Sequence, residues 1–527
     1  MRPRLVATLG SLVILGCGAA PQLAPSTTAD DGSSSRAGPA GPAVDAATPS
    51  DDGATSGGAG ATPSDAGGEA SLGVSVSGCS DLFTQDVVQT YELEISPSEW
   101  AQLEDEFKNR LSVPVGVDYN PYHPITFHFG GETVTDAYVR LKGQSSWRQT
   151  IAFDGDDAKA QFVVAFDKLD QHARFHGVSQ LVFDMPRNDL TFLHERLSNT
   201  WLRQIGIFAP CSNSARLVIN GSYYGLYVSE ESKGSEQLIK EFFPDAPSGD
   251  LFEGGYTPQT NKTTPNWPRL QRFWDAKDIA AVAAVVDLPS SLLDWAAECL
   301  LNDGDGYWGG AHNFYLYDQG AKGYVWLPSD TDATFDWLTS DTTHPLFWWS
   351  GRSTVHTGGQ HYLIVINDPT WKAKYVDALA AQLDRFEVKQ LQGWVDTWSA
   401  QIADAVASDP HKAATVEQFK TAVLKAHNEV AARADFVRRW ISCERDPLGE
   451  DGTDGDHDGA RWCDDCRDDD ANVKPGVPDI CGNGLDDNCN GVIDEGCPGE
   501  DGGTVPDGAL APPADGGDSD GQPNQGV

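Results

Sequence analysis

The stretch LLNDGDGYWGGAHNFYLYDQGAKGYVWLPSDTDATF, Leu301 to Phe335, constrains this chain more than any other. Phe314 to Tyr317 and Tyr324 to Leu327 alternate with period two and are rich in Tyr, Phe, Val and Trp. That pattern predicts two strands, joined into a hairpin by the glycine-containing turn at Asp318 to Gly323. A hairpin brings its ends together, and here both ends are acidic: Asp303 and Asp305 precede it, Asp330 and Asp332 follow it. Facing carboxylates repel unless something cationic sits between them. A divalent metal carrying a phosphate chain is one solution. Solvated turn aspartates are the other reading, since Asp is a favoured turn residue.

The 527 residues leave room for two or three domains. Lys and Arg number 37 against 78 Asp and Glu, a formal net charge of −41. A surface so acidic excludes nucleic acid and anionic membrane faces as partners held by general electrostatics. It suits metal binding, a cationic partner or plain solvation. Much of the acid lies after Cys443, whereas the aromatic-rich middle can bury a large core.

At the amino end, Arg2 and Arg4 precede an apolar run, Leu5 to Leu15, too short to anchor stably across a bilayer. Ile14-Leu15-Gly16-Cys17 resembles a bacterial lipobox, which implies a signal peptide over 1–17 and lipidation of Cys17. Gly18 in the next position resembles lipoproteins sorted to the outer membrane. From Gly18 to Gly78 the chain is mostly Ala, Gly, Pro, Ser, Thr and Asp, with the near-repeats ATPSDDG and ATPSDAG. Such a segment buries too little apolar surface to offset its ordering entropy, so it reads as a disordered tether. The expected location is the cell envelope, outer membrane or cell surface, with membrane contact through the lipid only.

Strands are predicted at Tyr91 to Ile95, Ala137 to Leu141, Phe162 to Phe166, Leu181 to Phe183, Arg216 to Ile219 and Tyr224 to Val228, the last two joined by Asn220-Gly221. Helical spacing marks Trp100 to Phe107, Leu193 to Ile205, Val376 to Asp384, Trp394 to Ala407 and Val416 to Trp440. A β-rich first half and a helical second half make an α+β fold.

Seven segments in order carry a resemblance over roughly Tyr91 to Ile441. They are RLKGQSSW (Arg140 to Trp147), KAQFVVAF from Lys159, NDLTFLHERL (Asn188 to Leu197), VINGSYYGLYVSEE (Val218 to Glu231), GDLFEGG (Gly249 to Gly255), the central hairpin block, and RADFVRRW (Arg433 to Trp440). Together they resemble the spore-coat protein H (CotH) kinase family. The resemblance implies an atypical two-lobed protein-kinase-like fold over 79–445, using ATP with Mg²⁺ or Mn²⁺ to phosphorylate Ser/Thr of an exported or coat protein. It makes Lys159 the lysine on the nucleotide phosphates, with Arg140 and Lys142 as further cations. Glu231 orients that lysine, with Glu195 as rival; Asp305 is the catalytic aspartate, with Asp303 as alternative. Asn313 and Asp330 hold metal, Asp332 second. Two departures stand out. Asp305 and Asn313 are eight positions apart, against five in the HRDxxxxN kinase loop, and no full GxGxxG lies between Lys142 and Lys159. A catalytically silent adhesion or coat-assembly scaffold is the competing reading. A third, a glycosyltransferase using Asp330-Thr331-Asp332 as its DxD, leaves the other six segments unexplained.

The ten cysteines, with an export signal, favour disulfides. Cys211 with Cys299 and Cys79 with Cys443 are candidate pairs; connectivity is not readable from sequence. In the Asp/Cys-rich module, 450–497, Asp454, Asp456 and Asp458 with Gly459 form a DxDxDG run of the kind calcium loops use. Asp486, Asp487, Asn488, Asn490 and Asp494 repeat the logic, with Asp487, Asn488 and Asp494 as ligands. The module resembles a small metal-binding motif of bacterial surface proteins, matched by Pro475-Gly476, Cys481 and Cys489. The CxxC at Cys463 and Cys466 suggests zinc, but the many carboxylates favour Ca²⁺ plus disulfides. Residues 498–527 read as a disordered acidic tail.

Overall fold

The computed structural model describes residues 78–109, 120–142, 159–185, 189–335, most of 345–446 and most of 449–496. The signal segment with Cys17, the tether, Gly143 to Trp147, Asn188 and the tail lie outside the described residues.

Seven strands close into a barrel in the order β1-β2-β3-β4-β5-β7-β6. They are β1 (Gln89–Glu94), β2 (His123–Phe129), β3 (Glu132–Leu141), β4 (Phe162–Ala165), β5 (Gln180–Asp184), β6 (Ser212–Ile219) and β7 (Ser222–Glu231). All neighbours are antiparallel except β1 and β6, whose parallel pairing closes the ring. Alternation fills the interior: Tyr91, Leu93, Phe127, Val139, Leu181, Phe183 and Leu217 are buried in one apolar cluster. Asn220 turns the β6–β7 hairpin at positive φ, and its side chain accepts the Ile95 N–H at 2.8 Å, tying the turn to β1. The helix α1 (Pro97–Asn109) follows β1.

The outer face of β6 and β7 is also covered, by α2 (His194–Gln204), whose Arg196 donates to Ser214 Oγ at 3.1 Å and whose Asn199 donates to Glu230 Oε1 at 2.7 Å. That explains why β7 is buried on both faces from Gly225 to Glu231. Short α3 (Glu236–Phe242) leads to a second sheet, β8 (Leu251–Glu253), β9 (Thr257–Pro258), β10 (Phe314–Asp318) and β11 (Tyr324–Pro328), ordered β11-β10-β8-β9. The predicted hairpin is therefore present, each strand one residue longer than the alternation suggested. Helices α4 (Trp267–Trp274), α5 (Ile279–Val285), α6 (Leu288–Leu301), α7 (Gln360–Ile366), α8 (Pro369–Leu383), α9 (Val388–Ser408) and α10 (Val416–Arg445) make the helical half. Its core is aromatic: Trp295 of α6 packs on Trp326 of β11, at 5.1 Å between ring centroids. Each such side chain contributes about 1.5–3 kcal/mol on burial.

The β-rich first half and helical second half stand as expected. The first half, however, is a closed barrel, where the resemblance implied the sheet lobe of a kinase. The disulfides differ from the candidate pairs: Cys79 bonds Cys211, Cys443 bonds Cys463 and Cys466 bonds Cys489. Cys299 is a buried free thiol against the Arg433 guanidinium. Among the described residues no helix is long and apolar enough to cross a membrane.

Candidate functional site

Three segments deliver carboxylates to one place. β5 ends on Asp184; its inward neighbours Leu181 and Phe183 fix the register, so Asp184 faces outward. The first turn of α2 carries Glu195. The third segment leaves β11 at Asp330, which adopts a left-handed conformation (φ 55°) that non-glycine residues rarely hold. Ligand oxygens of Asp184, Glu195 and Asp330 all lie within 4.8 Å of one another. The start of α2 is held by Asp189, whose carboxylate accepts the N–H groups of Thr191, Leu193 and His194 at 2.7–2.8 Å. His194 Nδ1 lies 3.2 Å from the Asp332 carbonyl, and Ser198 and Thr334 hydroxyls meet at 3.0 Å, fastening α2 to the loop after β11.

The other acidic end of the hairpin arrives beside this cluster. α6 ends at Asn302 in a left-handed turn, which sends the chain into Asp303 and Asp305. Asn313 Nδ2 donates to Asp305 Oδ2 at 2.8 Å and the Asn313 N–H donates to the Asp305 carbonyl at 2.9 Å. His312 Nδ1 lies 3.2 Å from Asp305 Oδ1. The long interval between Asp305 and Asn313 thus closes on itself. Asp332 belongs to the same field: burial, then Asp330, Asp189 and Asp305, push its carboxyl well above the ordinary range.

Two lysines balance part of this charge. Lys142, just past β3, pairs with Asp184. Lys233 lies 3.2 Å from Glu230 and 3.8 Å from Glu195. Burial pulls the Lys233 ammonium down, but Glu230 and Glu195 outweigh it and hold it raised. Glu195 remains the least satisfied group, since no hydrogen-bond donor reaches either carboxylate oxygen although the residue is buried. Burial, then the neighbouring Glu230, holds its carboxyl well above the ordinary range. An all-carboxylate donor set with orphaned buried oxygens fits a hard divalent cation.

Several expected roles are corrected. Lys159 is not at this cluster's disposal: its side chain is 1 % exposed, with Nζ 2.7 Å from Asp409 Oδ2 and also donating to the Leu226 carbonyl. Aromatic rings of Tyr227 and Phe192 cover the amine. A lysine so enclosed cannot reach a phosphate without breaking its ion pair. Nor does Glu231 orient it. The Glu231 carboxylate accepts the Cys211 N–H at 3.0 Å and lies 4.0 Å from Arg203. Burial leads in lifting the Glu231 carboxyl to about 7, partly opposed by that N–H and by Arg203. Arg140 donates to the Tyr122 hydroxyl at 3.1 Å and to the Leu141 carbonyl. Asp303 lies in a buried acidic group with Glu298 and Asp294, its Oδ1 accepting the Asp305 N–H at 3.3 Å. Asp184, Glu230 and Lys233 were missed because each lies at or just past a strand end, where an acid or lysine reads as ordinary solvated punctuation.

In the cysteine-rich segment Asp454, Asp456 and Asp458 converge, with oxygens within 4.8 Å of one another. Among the described residues, the second expected set takes part in loop hydrogen bonds. The Asp487 carboxylate accepts the Ile480 N–H at 2.7 Å and the Asn483 amide at 2.8 Å, bonds that brace the loop. Asn488 accepts the Asn490 N–H at 3.1 Å and Asp494 the Gly482 N–H at 2.8 Å. Zinc on the CxxC is excluded, because Cys463 and Cys466 are both consumed in disulfides.

A mixed α/β scaffold that seats a carboxylate cluster with two lysines against an Asp–Asn pair defines a class of acidic, cation-seeking sites. The chain belongs to the CotH kinase protein family, whose model matches residues 139–437, more than half of the chain. A second model, Cu-binding MopE, described as "Putative metal-binding motif", matches residues 465–495. Both are consistent with a surface or coat protein. No curated protein matches the chain.

Proposed function

We propose that the chain is an exported, lipid-anchored protein kinase that transfers the ATP γ-phosphate to Ser/Thr of an exported or coat protein. The observation that carries this reading is the convergence of Asp184, Glu195 and Asp330 beside the Asp305–Asn313 pair. Phosphoryl transfer asks for positioning and charge neutralisation more than for covalent help. Asp184, Glu195 and Asp330 would hold Mg²⁺ or Mn²⁺, which when bound neutralises phosphate charge. Lys142, not Lys159, is the cation beside those carboxylates and is assigned to the phosphates. Asp305 is about one-third exposed, and so open to a substrate hydroxyl, whose proton it would accept. Asn313 holds that carboxylate in place through its amide, leaving its own side-chain oxygen for a cation.

The test is incorporation of label from γ-labelled ATP by the purified chain with Mg²⁺ or Mn²⁺, comparing wild type with Asp330→Ala and Asp305→Asn. Transfer should fall at least 100-fold in both, on the scale set for lost electrostatic or acid–base groups. Incorporation that survives Asp330→Ala, or none in any protein, overturns the reading. The burial of Lys159 specifically favours the alternative, a catalytically silent scaffold, and the second outcome would establish it.

A further inference from the structure

The extra length between Asp305 and Asn313 is folded into a tight turn, closed by the Gly310 N–H on the Gly306 carbonyl at 3.0 Å. One buried acid that the phosphoryl-transfer reading does not use meets this turn. Glu298, in the last turn of α6, accepts the Trp308 N–H on Oε2 at 2.6 Å and the Tyr307 N–H on Oε1 at 3.4 Å. Backbone N–H groups buried in such a turn need acceptors, and a carboxylate can take both at once. The approach depends on glycine. A Cβ on Gly306 would stand 2.8 Å from Asp303 Oδ2 and 3.1 Å from Glu298 Cδ, and one on Gly309 would stand 2.5 Å from the Asp303 carbonyl oxygen.

The two residues whose N–H groups Glu298 holds are anchored in the core by their rings. The Trp308 indole donates to the Pro345 carbonyl at 3.2 Å, and the Arg433 guanidinium lies 5.8 Å from its ring centre. Arg433 also donates to the Cys299 carbonyl at 2.9 Å, so one cation braces both the ring and the helix that carries Glu298. Tyr307 packs on Trp326 and Phe314, at 4.7 and 4.9 Å between ring centroids. Asp305 stands between this fixed turn and Asp303, whose Oδ1 accepts the Asp305 N–H. Burial, then Asp294, pushes the Glu298 carboxyl well above its ordinary range, and the two N–H groups oppose that push. An acid kept there at a cost is explained by what it holds.

We infer that Glu298 is a positioning residue for Asp305: by holding the Tyr307 and Trp308 N–H groups it sets where the Asp305 carboxylate meets a substrate hydroxyl. The inference rests on the kinase reading and adds to it a residue that touches neither substrate nor metal. It also gives the long Asp305-to-Asn313 interval a use, since Trp308, Gly309 and Gly310 build the turn that Glu298 grips. Proton transfer from the hydroxyl depends on hydrogen-bond reach, so displacement of the turn acts on the chemical step and leaves nucleotide binding alone.

The experiment measures kcat and KM for ATP in labelled transfer by the full chain, with amide hydrogen exchange alongside, for wild type, Glu298→Ala, Glu298→Gln and Asp294→Asn. Glu298→Ala should lose about 100-fold in kcat, the scale of a misplacement of about 1 Å, with KM for ATP within about twofold. Exchange should quicken in 303–313 and not in α8 to α10. Glu298→Gln keeps one acceptor for the Trp308 N–H and should lose only about tenfold. Asp294→Asn removes a neighbouring buried acid that makes no hydrogen bond to the turn, and should keep kcat within about twofold. Unchanged kcat in Glu298→Ala, or an equal loss in Asp294→Asn, would overturn the assignment and leave the kinase reading standing. Where the alanine protein does not fold, unchanged kcat in Glu298→Gln overturns it. No transfer by wild type would remove the kinase reading, and the assignment with it.

Discussion

Replacing Lys159 by methionine separates a structural lysine from a nucleotide lysine. The amine is enclosed between Asp409 Oδ2, at 2.7 Å, and the Leu226 carbonyl. The same Asp409 carboxylate accepts the Leu226 N–H at 2.8 Å and, through Oδ1, the His411 N–H at 2.8 Å. Gly225 permits the packing, for a Cβ there would stand 2.7 Å from Lys159 Cε and 2.9 Å from both Asp409 oxygens. Burial pulls the Lys159 ammonium down and Asp409 only partly restores it. Methionine keeps the apolar stem and removes the charge. It strands Asp409 in a site with almost no water, and breaking a buried pair from one side costs about 3–5 kcal/mol. Lys159→Met with Asp409→Asn should recover on the order of 1–3 kcal/mol of that, because the two changes share one interaction. The assay is chemical unfolding followed by fluorescence, read as a midpoint shift at unchanged slope. ATP affinity of the folded Lys159→Met protein should stay within twofold of wild type. A stability loss below about 1 kcal/mol, below even the usual cost of one unpaired buried group, combined with loss of ATP binding, would return Lys159 to the phosphates and refute the burial argument.

Asp294 of α6 is buried with both carboxylate oxygens unpartnered, and burial, then Asp303, holds its carboxyl well above its ordinary value of 3.8. The folded chain therefore keeps this proton to higher pH than the unfolded chain does. Stability is lost as pH rises from about 3.8 toward the folded value, and the loss is complete above it. Asp294→Asn should raise stability at pH 7 by on the order of 1–3 kcal/mol, with the gain vanishing below pH 4, in unfolding curves taken across pH. The Cys79–Cys211 bond spans 132 positions. Cys79→Ala with Cys211→Ala should cost on the order of 3–5 kcal/mol in the same assay, most of it through the unfolded chain.

The strands were legible wherever one face is buried, as at Tyr91 and Leu93 or Leu181 and Phe183, because alternation then records the core directly. The central hairpin was legible for the same reason. Closure was not: the parallel pairing of β1 with β6 joins residues more than a hundred positions apart, and nothing local in QTYELE signals its partner. The site was half legible. Asp305, Asn313, Asp330 and Asp332 follow from the hairpin bringing its ends together. Asp184 and Glu195 reach them only through the packing of α2 on the barrel's outer face, a tertiary fact. Lys159 misled because a lysine just ahead of a strand looks alike whether its amine meets solvent or a carboxylate such as Asp409, remote in the sequence. In the cysteine-rich segment the DxDxDG loop announced itself, while Asp468 reaches its Gly455 N–H through the disulfide-bound fold behind it.

The charge balance of the central site carries the last step. Asp184, Glu195, Glu230, Asp305, Asp330 and Asp332 are gathered against Lys142 and Lys233. Like charges 4 Å apart repel by about 4 kcal/mol at the effective dielectric of a protein surface. The chain does not relax this by letting the carboxylates diverge, for each is held by structure that costs something to maintain. Asp330 is kept in a left-handed conformation, Glu195 is kept without a donor, and the α2 start is kept in place by Asp189. Strain retained at a cluster of like charges is explained if the missing partner is a cation that arrives from outside. On the kinase reading, the phosphates of a nucleotide add negative charge to a site already in excess. Lys142 would share its charge between Asp184 and a phosphate, and Lys233 is held by Glu230, so the two lysines alone do not offset it. On that reading Asp184, Glu195 and Asp330 would hold a divalent metal, which would supply the charge neutralisation that the nucleotide phosphates need.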